Sequence, residues 1–451
     1  MPVRFGTDGV RGRALTELTP EVAMMVGRAC ARTLGAERIL IGRDPRRSGD
    51  MLEAALVAGI AAEGIDVDLL GVVPTPAVAW WARTEGCGAM MVTASHNPWT
   101  DNGIKVFGVG GRKLDDAQQA AIEHLCDGAT HPRGDSVMNV GVARRDEAVA
   151  QRYIEAIVDA VGPGALASLH VVVDAANGAM GVVAGSALQR LGAQVEVIFD
   201  SLAGDDVNAG CGATYPQALS RHVVHRGADL GLAFDGDGDR VIAVDHRGHI
   251  VDGDRLIALA AWDRHRRGRL PGATVVVTVM TNLGFHRAMR AQGIEVVTTA
   301  VGDRQVLETM EQLGCVLGGE QSGHIIHHDL MPSGDGLLAG ALLGDLVLRH
   351  GRPLADLADG IMTALPQVLL NVAVPPGRSH EIAQALADDV AEVEHLLGDE
   401  GRVLVRPSGT EPVLRIMIEA SSSDAAQRHV EGLAARAQHL AGGTTPVPDA
   451  G

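Results

Sequence analysis

The chain has 451 residues, 46% of them apolar and 2% aromatic, so its length suits roughly three domains with aliphatic cores. A formal net charge of −18 argues against nucleic acid or an anionic membrane as the main partner, and any phosphate site must concentrate its own positive charge. Five scattered cysteines (Cys30, Cys87, Cys126, Cys211, Cys315) without a C-x-x-C pair speak against a disulfide framework or a structural zinc. The opening MPVRFGTDGVRG has no apolar stretch of the signal-peptide kind, and no uncharged apolar run reaches about 18 residues, so a soluble, cytoplasmic protein is expected.

Along the chain, strand-like and helix-like segments alternate. TPEVAMMVGRACARTLG predicts a helix with Thr19 as N-cap, Pro20 at the first helical position and Gly35 as its stop. RILIGRD predicts a buried strand, followed by a helix capped by Ser48 and ending near Gly64. IDVDLLG, PTPAVAWWART and GAMMV predict strand, helix and strand, which together describe βαβ units on a mostly parallel sheet. The rhythm repeats in LHVVVDAANGAMGVVAGSALQRLGAQVEVI, in ADLGLAFDGDGDRVIAVD and in GATVVVTVMTNLGFHRAMRAQGIEVVTTAVGD. It changes near Pro366. SHEIAQALADDVAEVEHLL predicts one long helix capped by Ser379, RVLVRPSGTEPVLRIMIEAS two strands across a turn, and a last helix runs from about Asp424. The expected fold is α/β: three successive α/β mixed-sheet domains (1–155, 156–253, 254–367), a smaller α+β C-terminal domain (368–443) and a disordered tail (444–451).

Four loops carry candidate chemistry, and in open α/β sheets ligands gather at strand carboxyl ends. The apolar run Ala89–Val92 stops at Thr93, Ala94, Ser95, His96, Asn97 and Pro98, which places Ser95 just past a strand end as an exposed candidate nucleophile; a plain Ser/Asn/Pro turn accounts for the pattern equally. The chain has two lysines, Lys105 and Lys113, arginine carrying the remaining basic charge. Lys105, close behind Ser95, is a charge partner for a reacting phosphate, whereas Lys113 reads as an ordinary surface lysine. In FDGDGDR, Asp235, Asp237 and Asp239 alternate with glycine after a strand, and carboxylates this close repel unless a cation sits among them. Hard oxygen ligands point to Mg²⁺, with Ca²⁺ or Mn²⁺ as alternatives. An EF-hand is excluded, because its sixth position would be Arg240 and its twelfth His246.

GGEQSGHIIHHD offers Glu320, Ser322 and His324 as paired donors and acceptors for a polyol, a pattern that a polar turn also explains; His327 and His328 lack an obvious third ligand for a metal. VRPSGTEPVLR offers Arg406, Ser408, Gly409 and Thr410 as an anion nest, with Arg415 as a second guanidinium.

FGTDGVRG, TASHNP, DGDGDR, GGEQSGH and RPSGTEP occur in this order from Phe5 to Arg415, and as a set they resemble the α-D-phosphohexomutase superfamily. The opening motif and Gln321 beside Glu320 resemble the branch that handles glucosamine phosphates. HNPWTDNG departs from the usual tyrosine-bearing form at Trp99 and Thr100, which bears on loop packing rather than on a named catalyst. The resemblance implies four domains around a central cleft, with Ser95 as phosphoserine and one Mg²⁺ per subunit held by Asp235, Asp237, Asp239 and the serine phosphate. Arg11, Arg240 and Lys105 would lie near the reacting phosphate, and His96 and His324 would handle protons or contact phosphate. Gly302, Asp303, Glu320, Ser322 and His324 would read the sugar, while Arg406, Ser408, Gly409, Thr410 and Arg415 would hold the non-reacting phosphate.

The implied activity is interconversion of glucosamine 6-phosphate and glucosamine 1-phosphate through glucosamine 1,6-bisphosphate, feeding UDP-N-acetylglucosamine and cell-wall precursors. The expected partner is a small-molecule sugar phosphate, with neither nucleic acid nor membrane, and a homodimer is left open. A glucose- or mannose-phosphate mutase of the same superfamily, a non-catalytic sugar-phosphate binder and a phosphatase are the alternatives.

Overall fold

The computed structural model describes residues 3–6, 9–128, 139–408 and 412–442. The expected tail therefore lies outside the described residues. The chain divides into two compact units, Met1–Met280 with Gln292–Ile361, and Thr281–Ala291 with Met362–Gly451.

The first unit opens with β1 (Val10–Arg13) and α1 (Pro20–Thr33). Thr19 caps α1 as expected, its side chain accepting from Val22 N at 3.4 Å, and Pro20 begins the helix where no N–H is needed. There follow β2 (Arg38–Arg43), α2 (Gly49–Ala61), β3 (Asp66–Val72), α3 (Thr75–Glu85) and β4 (Gly88–Val92), with β2 parallel to both β3 and β4. β5 (Asp101–Gly108) runs antiparallel to β4 and to β1, so the sheet is mixed. Then come β6 (Arg112–Lys113), α4 (Asp116–Asp127), β7 (Ala143–Arg145) and α5 (Val149–Val161), giving the order β1-β5-β4-β2-β3-β7 with β6 on β5. Every residue of β4 is buried, which is why it reads as an unbroken apolar run. Its core neighbours include Ile39, Ile41, Leu52, Leu56, Ile104 and Val106.

Ser48 is a correction. It stands at the N-cap position of α2, but its backbone is already helical, and its Oγ accepts from Asn102 Nδ2 at 2.8 Å instead of capping the helix, which ends at Ala61.

The second sheet comprises β8 (His170–Asp174), α6 (Met180–Arg190), β9 (Gln194–Ile198), α7 (Gln217–Arg226), β10 (Leu230–Phe234), β11 (Val241–Asp245) and β12 (Ile250–Val251), in the order β12-β11-β10-β8-β9. The third follows α8 (Gly253–Arg266). It holds β13 (Thr274–Thr278), then, past α9 (Leu283–Ala291) of the other unit, β14 (Glu295–Thr299), α10 (Asp303–Leu313), β15 (Leu317–Gly319) and β16 (Ile325–His327), in the order β14-β13-β15-β16. Helices α11 (Gly336–His350) and α12 (Leu354–Ile361) close the unit.

The second unit is an antiparallel sheet, β17 (Gln367–Ala373), β18 (Arg402–Pro407) and β19 (Val413–Glu419), in the order β17-β19-β18. Its helices are α9, α13 (Ser379–Ala385), α14 (Ala387–Leu397) and α15 (Ser423–Leu440), around Val372, Ile382, Leu386, Ile416, Ile418 and Val430. The expected single helix over 379–397 is instead two helices meeting at fully buried Leu386, and Ser379 is the first helical residue rather than the cap. The start of α9 is tied in by Leu283 N donating to Glu419 Oε2 at 2.8 Å, the carboxylate that also accepts from Arg402. No helix among the described residues is long and apolar enough to cross a membrane.

Candidate active site

Ser95 follows the end of β4 in a left-handed backbone conformation, φ +51°. The sequence predicts it exposed, yet it is 1% exposed, because the loop after β10 lies against it. Its Oγ donates to Asp235 Oδ2 at 2.6 Å and lies 3.3 Å from His96 Nδ1. Burial, then the positive charges of Arg240 and Arg11, push His96 down to about 3, so its imidazole is neutral near pH 7. Arg11, on β1, reaches back to donate to the Ala94 carbonyl at 3.4 Å.

One oxygen from each of Asp235, Asp237 and Asp239 lies within 4.8 Å of the others, and all three residues are buried. The turn from β10 to β11 makes this possible through Gly238, whose φ of +75° favours glycine. Asp237 Oδ2 accepts from Thr75 Oγ1 at 2.5 Å and faces Lys105 Nζ at 2.8 Å; Asp239 Oδ2 accepts from the same ammonium at 2.7 Å. Lys105 sits on strand β5 rather than in the serine loop, paired across from Met91 of β4, and that register delivers it to the acids.

The remaining oxygens, Asp237 Oδ1 and Asp239 Oδ1, are buried without a hydrogen-bond partner. Asp239 Oδ1 has only the longer ion-pair contacts of His324 and Arg240, at 3.7 and 3.9 Å, and two such oxygens beside a third carboxylate suit a divalent cation with hard oxygen ligands. Burial, then the Asp239 and Asp237 charges, hold the Asp235 carboxyl well above the usual range. Burial opposes ionisation of Asp239, but Lys105, then His324 and Arg240, outweigh it and hold that carboxyl well below.

The third sheet brings its loop to the same place. Val241 N donates to Gly323 O at 3.0 Å, and His324 bridges outward, its Nδ1 3.7 Å from Asp239 Oδ1 and its Nε2 3.9 Å from Asp303 Oδ2. Burial disfavours charge on His324, yet Asp239, Asp303 and Glu320 together raise it above its ordinary value. Gly334 packs flat against the ring, where a Cβ would collide with it. Glu320 Oε1 accepts from Gly302 N at 3.1 Å, and Ser322 Oγ reaches Glu320 Oε2 at 3.5 Å. Lys113 is a second correction: its ammonium meets Asp303 Oδ2 at 2.7 Å with the side chain 14% exposed, so it is not an idle surface lysine.

Ser95, His96, Lys105, Arg11, Arg240, the three aspartates, Asp303 and His324 are thus brought together within the first unit. In the second unit, Arg406 of β18 lies directly opposite Arg415 of β19, and Ser408 N donates to Val413 O at 3.0 Å. Directly opposed residues share a face of the sheet, so the two arginine side chains leave it from neighbouring positions on one side. Gly409 and Thr410 lie outside the described residues.

Sequence reasoning missed Thr75, Asp44, Arg46 and Asn208. Thr75 and Asp44 each follow the carboxyl end of a parallel strand, β3 and β2, and that position was the available signal. A cavity of about 130 Å³ between α8 and α11 lies apart from these groups, and its Arg264, Arg267 and Arg349 are engaged by Asp329, Asp263 and Asp345.

Family models described as phosphoglucomutase/phosphomannomutase match the chain throughout: alpha/beta/alpha domain I over residues 2–132, domain II over 151–248, domain III over 252–365 and the C-terminal domain over 369–436. The chain is 50% identical to a phosphoglucosamine mutase of Desulforudis audaxviator over 440 residues, covering 96% of this chain and 97% of the relative. It is 47% identical to one of Rhodococcus jostii, covering 95% and 98%. Among solved structures, a phosphoglucomutase/phosphomannomutase family protein of Burkholderia thailandensis superposes with a TM-score of 0.83 at 28% identity, covering 98% of this chain and 99% of that one. With all four domain models matched in order and these relatives matched nearly end to end, the chain belongs to the phosphoglucomutase/phosphomannomutase family, in its phosphoglucosamine mutase branch.

Proposed function

We propose that the protein interconverts glucosamine 6-phosphate and glucosamine 1-phosphate, with Ser95 as the phosphoryl carrier and glucosamine 1,6-bisphosphate as the intermediate. The observation that carries this reading is the 2.6 Å contact from Ser95 Oγ to Asp235 Oδ2, inside a buried carboxylate triad whose charge Lys105 partly offsets. Phosphoserine 95 passes its phosphoryl group to the sugar O1: the O1–P bond forms as the serine Oγ–P bond breaks, and the proton given up by O1 ends on the freed Ser95 Oγ. The bisphosphate turns around, its O6–P bond breaks as Ser95 Oγ takes the phosphoryl group, and the serine proton ends on O6, leaving glucosamine 1-phosphate.

Phosphoryl transfer asks a protein mainly for positioning and charge stabilisation. Asp235, Asp237 and Asp239, with the serine phosphate, would hold one Mg²⁺, and the ion supplies positive charge to the phosphoryl oxygens. Lys105 and Arg240 add fixed cationic groups, and Arg11 lies beside the serine loop. Glu320, Ser322, His324, Gly302 and Asp303 would read sugar hydroxyls in either orientation. Arg406 and Arg415, with Ser408, Gly409 and Thr410, would grip whichever phosphate is not reacting.

The test is coupled turnover of glucosamine 6-phosphate by wild type and Ser95→Ala, with Mg²⁺ and trace bisphosphate. Loss of the nucleophile is expected to cut kcat by about 10³-fold or more. Full isomerising activity in Ser95→Ala would end this reading. Parallel assays on glucose 6-phosphate and mannose 6-phosphate separate the amino-sugar activity from its sibling mutases.

A further inference from the structure

Arg46 lies entirely inside the first unit, its side chain 0% exposed. A guanidinium has five N–H donors in a planar fork, and here each has an acceptor. Nε donates to Asp44 Oδ2 at 2.9 Å. Nη2 donates to the carbonyls of Ser95 and Asn97, each at 2.8 Å. Nη1 donates to the carbonyl of Asp101 at 3.0 Å and to that of Pro98. Four of the five donors therefore converge on one turn, the stretch that carries Ser95.

The rest of the cluster fixes the fork. Asp44 Oδ2 also accepts from Thr93 Oγ1 at 2.6 Å, and that hydroxyl accepts from Ser95 N at 2.9 Å. From the second sheet's side, Asn208 Nδ2 donates to the same two carbonyls, Ser95 at 2.8 Å and Asn97 at 3.1 Å. Ser95 itself holds φ +51°, a conformation that non-glycine residues adopt rarely and only where their surroundings impose it.

We propose that Arg46, oriented by Asp44 and seconded by Asn208, is a positioning residue for phosphoryl transfer: it gathers the carbonyls of the serine turn inward and so aims Ser95 Oγ at the carboxylate triad. This rests on the reading of Ser95 as phosphoryl carrier. Without the fork, carbonyl oxygens in a buried place lose their donors, and the left-handed turn loses what holds it. The groups assigned to the sugar and the distal phosphate are not among Arg46's partners. The effect therefore falls on kcat and leaves KM largely alone.

Arg46→Lys and Asn208→Ala test this. Lysine keeps the charge and the stem but replaces a planar fork by a point donor. For each variant, kcat, KM and thermal midpoint are measured, together with the rate at which glucosamine 1,6-bisphosphate phosphorylates Ser95, read by intact mass. Displacement of a reacting group by about 1 Å costs on the order of 10²-fold, so Arg46→Lys is expected to lose about that in kcat and in the phosphorylation rate, with KM within about threefold. Asn208→Ala, which leaves Arg46 in place, is expected to lose about tenfold in kcat with little change in midpoint.

Rates near wild type in folded Arg46→Lys, or losses that only track the folded fraction, overturn the proposal. If Arg46→Lys does not fold, Asn208→Ala decides alone. The Ser95→Ala control separates the two levels. Inactive Ser95→Ala beside fully active Arg46→Lys rejects the positioning role, whereas active Ser95→Ala rejects the phosphoserine reading beneath it.

Discussion

At Lys105 one ammonium serves two carboxylates, 2.8 Å from Asp237 Oδ2 and 2.7 Å from Asp239 Oδ2, with its side chain 2% exposed. Removing one partner of a buried ion cluster leaves uncompensated charge, and the cost of such changes is typically about 3–5 kcal/mol. A dication on the same acids would restore most of that balance. Lys105→Ala is therefore expected to destabilise the metal-free protein by a few kcal/mol, on the order given for broken buried pairs, and Mg²⁺ should narrow the gap to wild type. Urea denaturation with and without Mg²⁺ measures both terms; a gap unchanged by saturating Mg²⁺ would show that the triad is not where the ion binds. The same neighbourhood shows what a reader of the sequence can see. Ser95 and the alternating aspartates are contiguous motifs whose chemistry is local, and they were legible. Thr75 with Asp237, Lys113 with Asp303 and Asn208 with Ser95 are pairs from distant parts of the chain, joined only by folding, so no pattern in the sequence announces them.

The elements were legible where one face or both faces of a segment are buried, as in β4 and α1, and less so where a tertiary contact overrides a local preference. Ser48 and Ser379 have the right chemistry for caps, but a cap also needs a non-helical backbone, and Asn102 claims the Ser48 oxygen. β1 and β5 are not among the predicted strands, because VRGR and DNGIKVFG owe their strand state to pairing with each other and, for β5, with β4. One cap does bear on stability. Asp335 begins α11 by accepting from Leu338 N at 2.9 Å, and Tyr153 of α5 points its hydroxyl at the same carboxylate, 2.8 Å from each oxygen. Burial outweighs these donors and pushes the Asp335 carboxyl up to about 6 from 3.8. A folded carboxyl raised in this way binds more protons than the unfolded chain between those values. Its contribution to stability is full below about 4, declines as pH rises to about 6, and is flat above. Ionising it in the folded state costs about 3 kcal/mol, from ~1.4 kcal/mol per unit. Asp335→Asn keeps an acceptor for both donors without the charge. It should therefore gain about 1–3 kcal/mol over wild type at pH 7, and that advantage should vanish near pH 4. Denaturation midpoints across that range decide it, and an advantage that does not change with pH would remove the carboxylate from the explanation.

For the whole molecule the puzzle is charge. The chain carries −18 while its proposed substrate is an anion, so its overall field repels what its site must bind. The reacting centre gathers cations locally: Lys105 and Arg240 lie against the aspartates, His324 is raised toward its charged form, Arg11 contacts the serine loop, and the proposed Mg²⁺ would tip the balance positive. These two fields differ in range. Acidic side chains spread over the surface act on the substrate from beyond the screening length of about 10 Å at 0.1 M salt, so moderate salt already silences most of their repulsion. Buried or half-buried cations that would contact the phosphate are screened less, but added anions compete with the phosphate for them. If the local groups dominate, raising salt from about 0.1 M, where the distant repulsion is already weak, should raise KM for glucosamine 6-phosphate several-fold and change kcat little. The opposite dependence, with KM falling steadily as salt is added, would mean that the acidic surface rather than the cationic centre governs encounter. The local-charge account of how an acidic protein handles a phosphate would then fail, even if Ser95 proved to be the carrier.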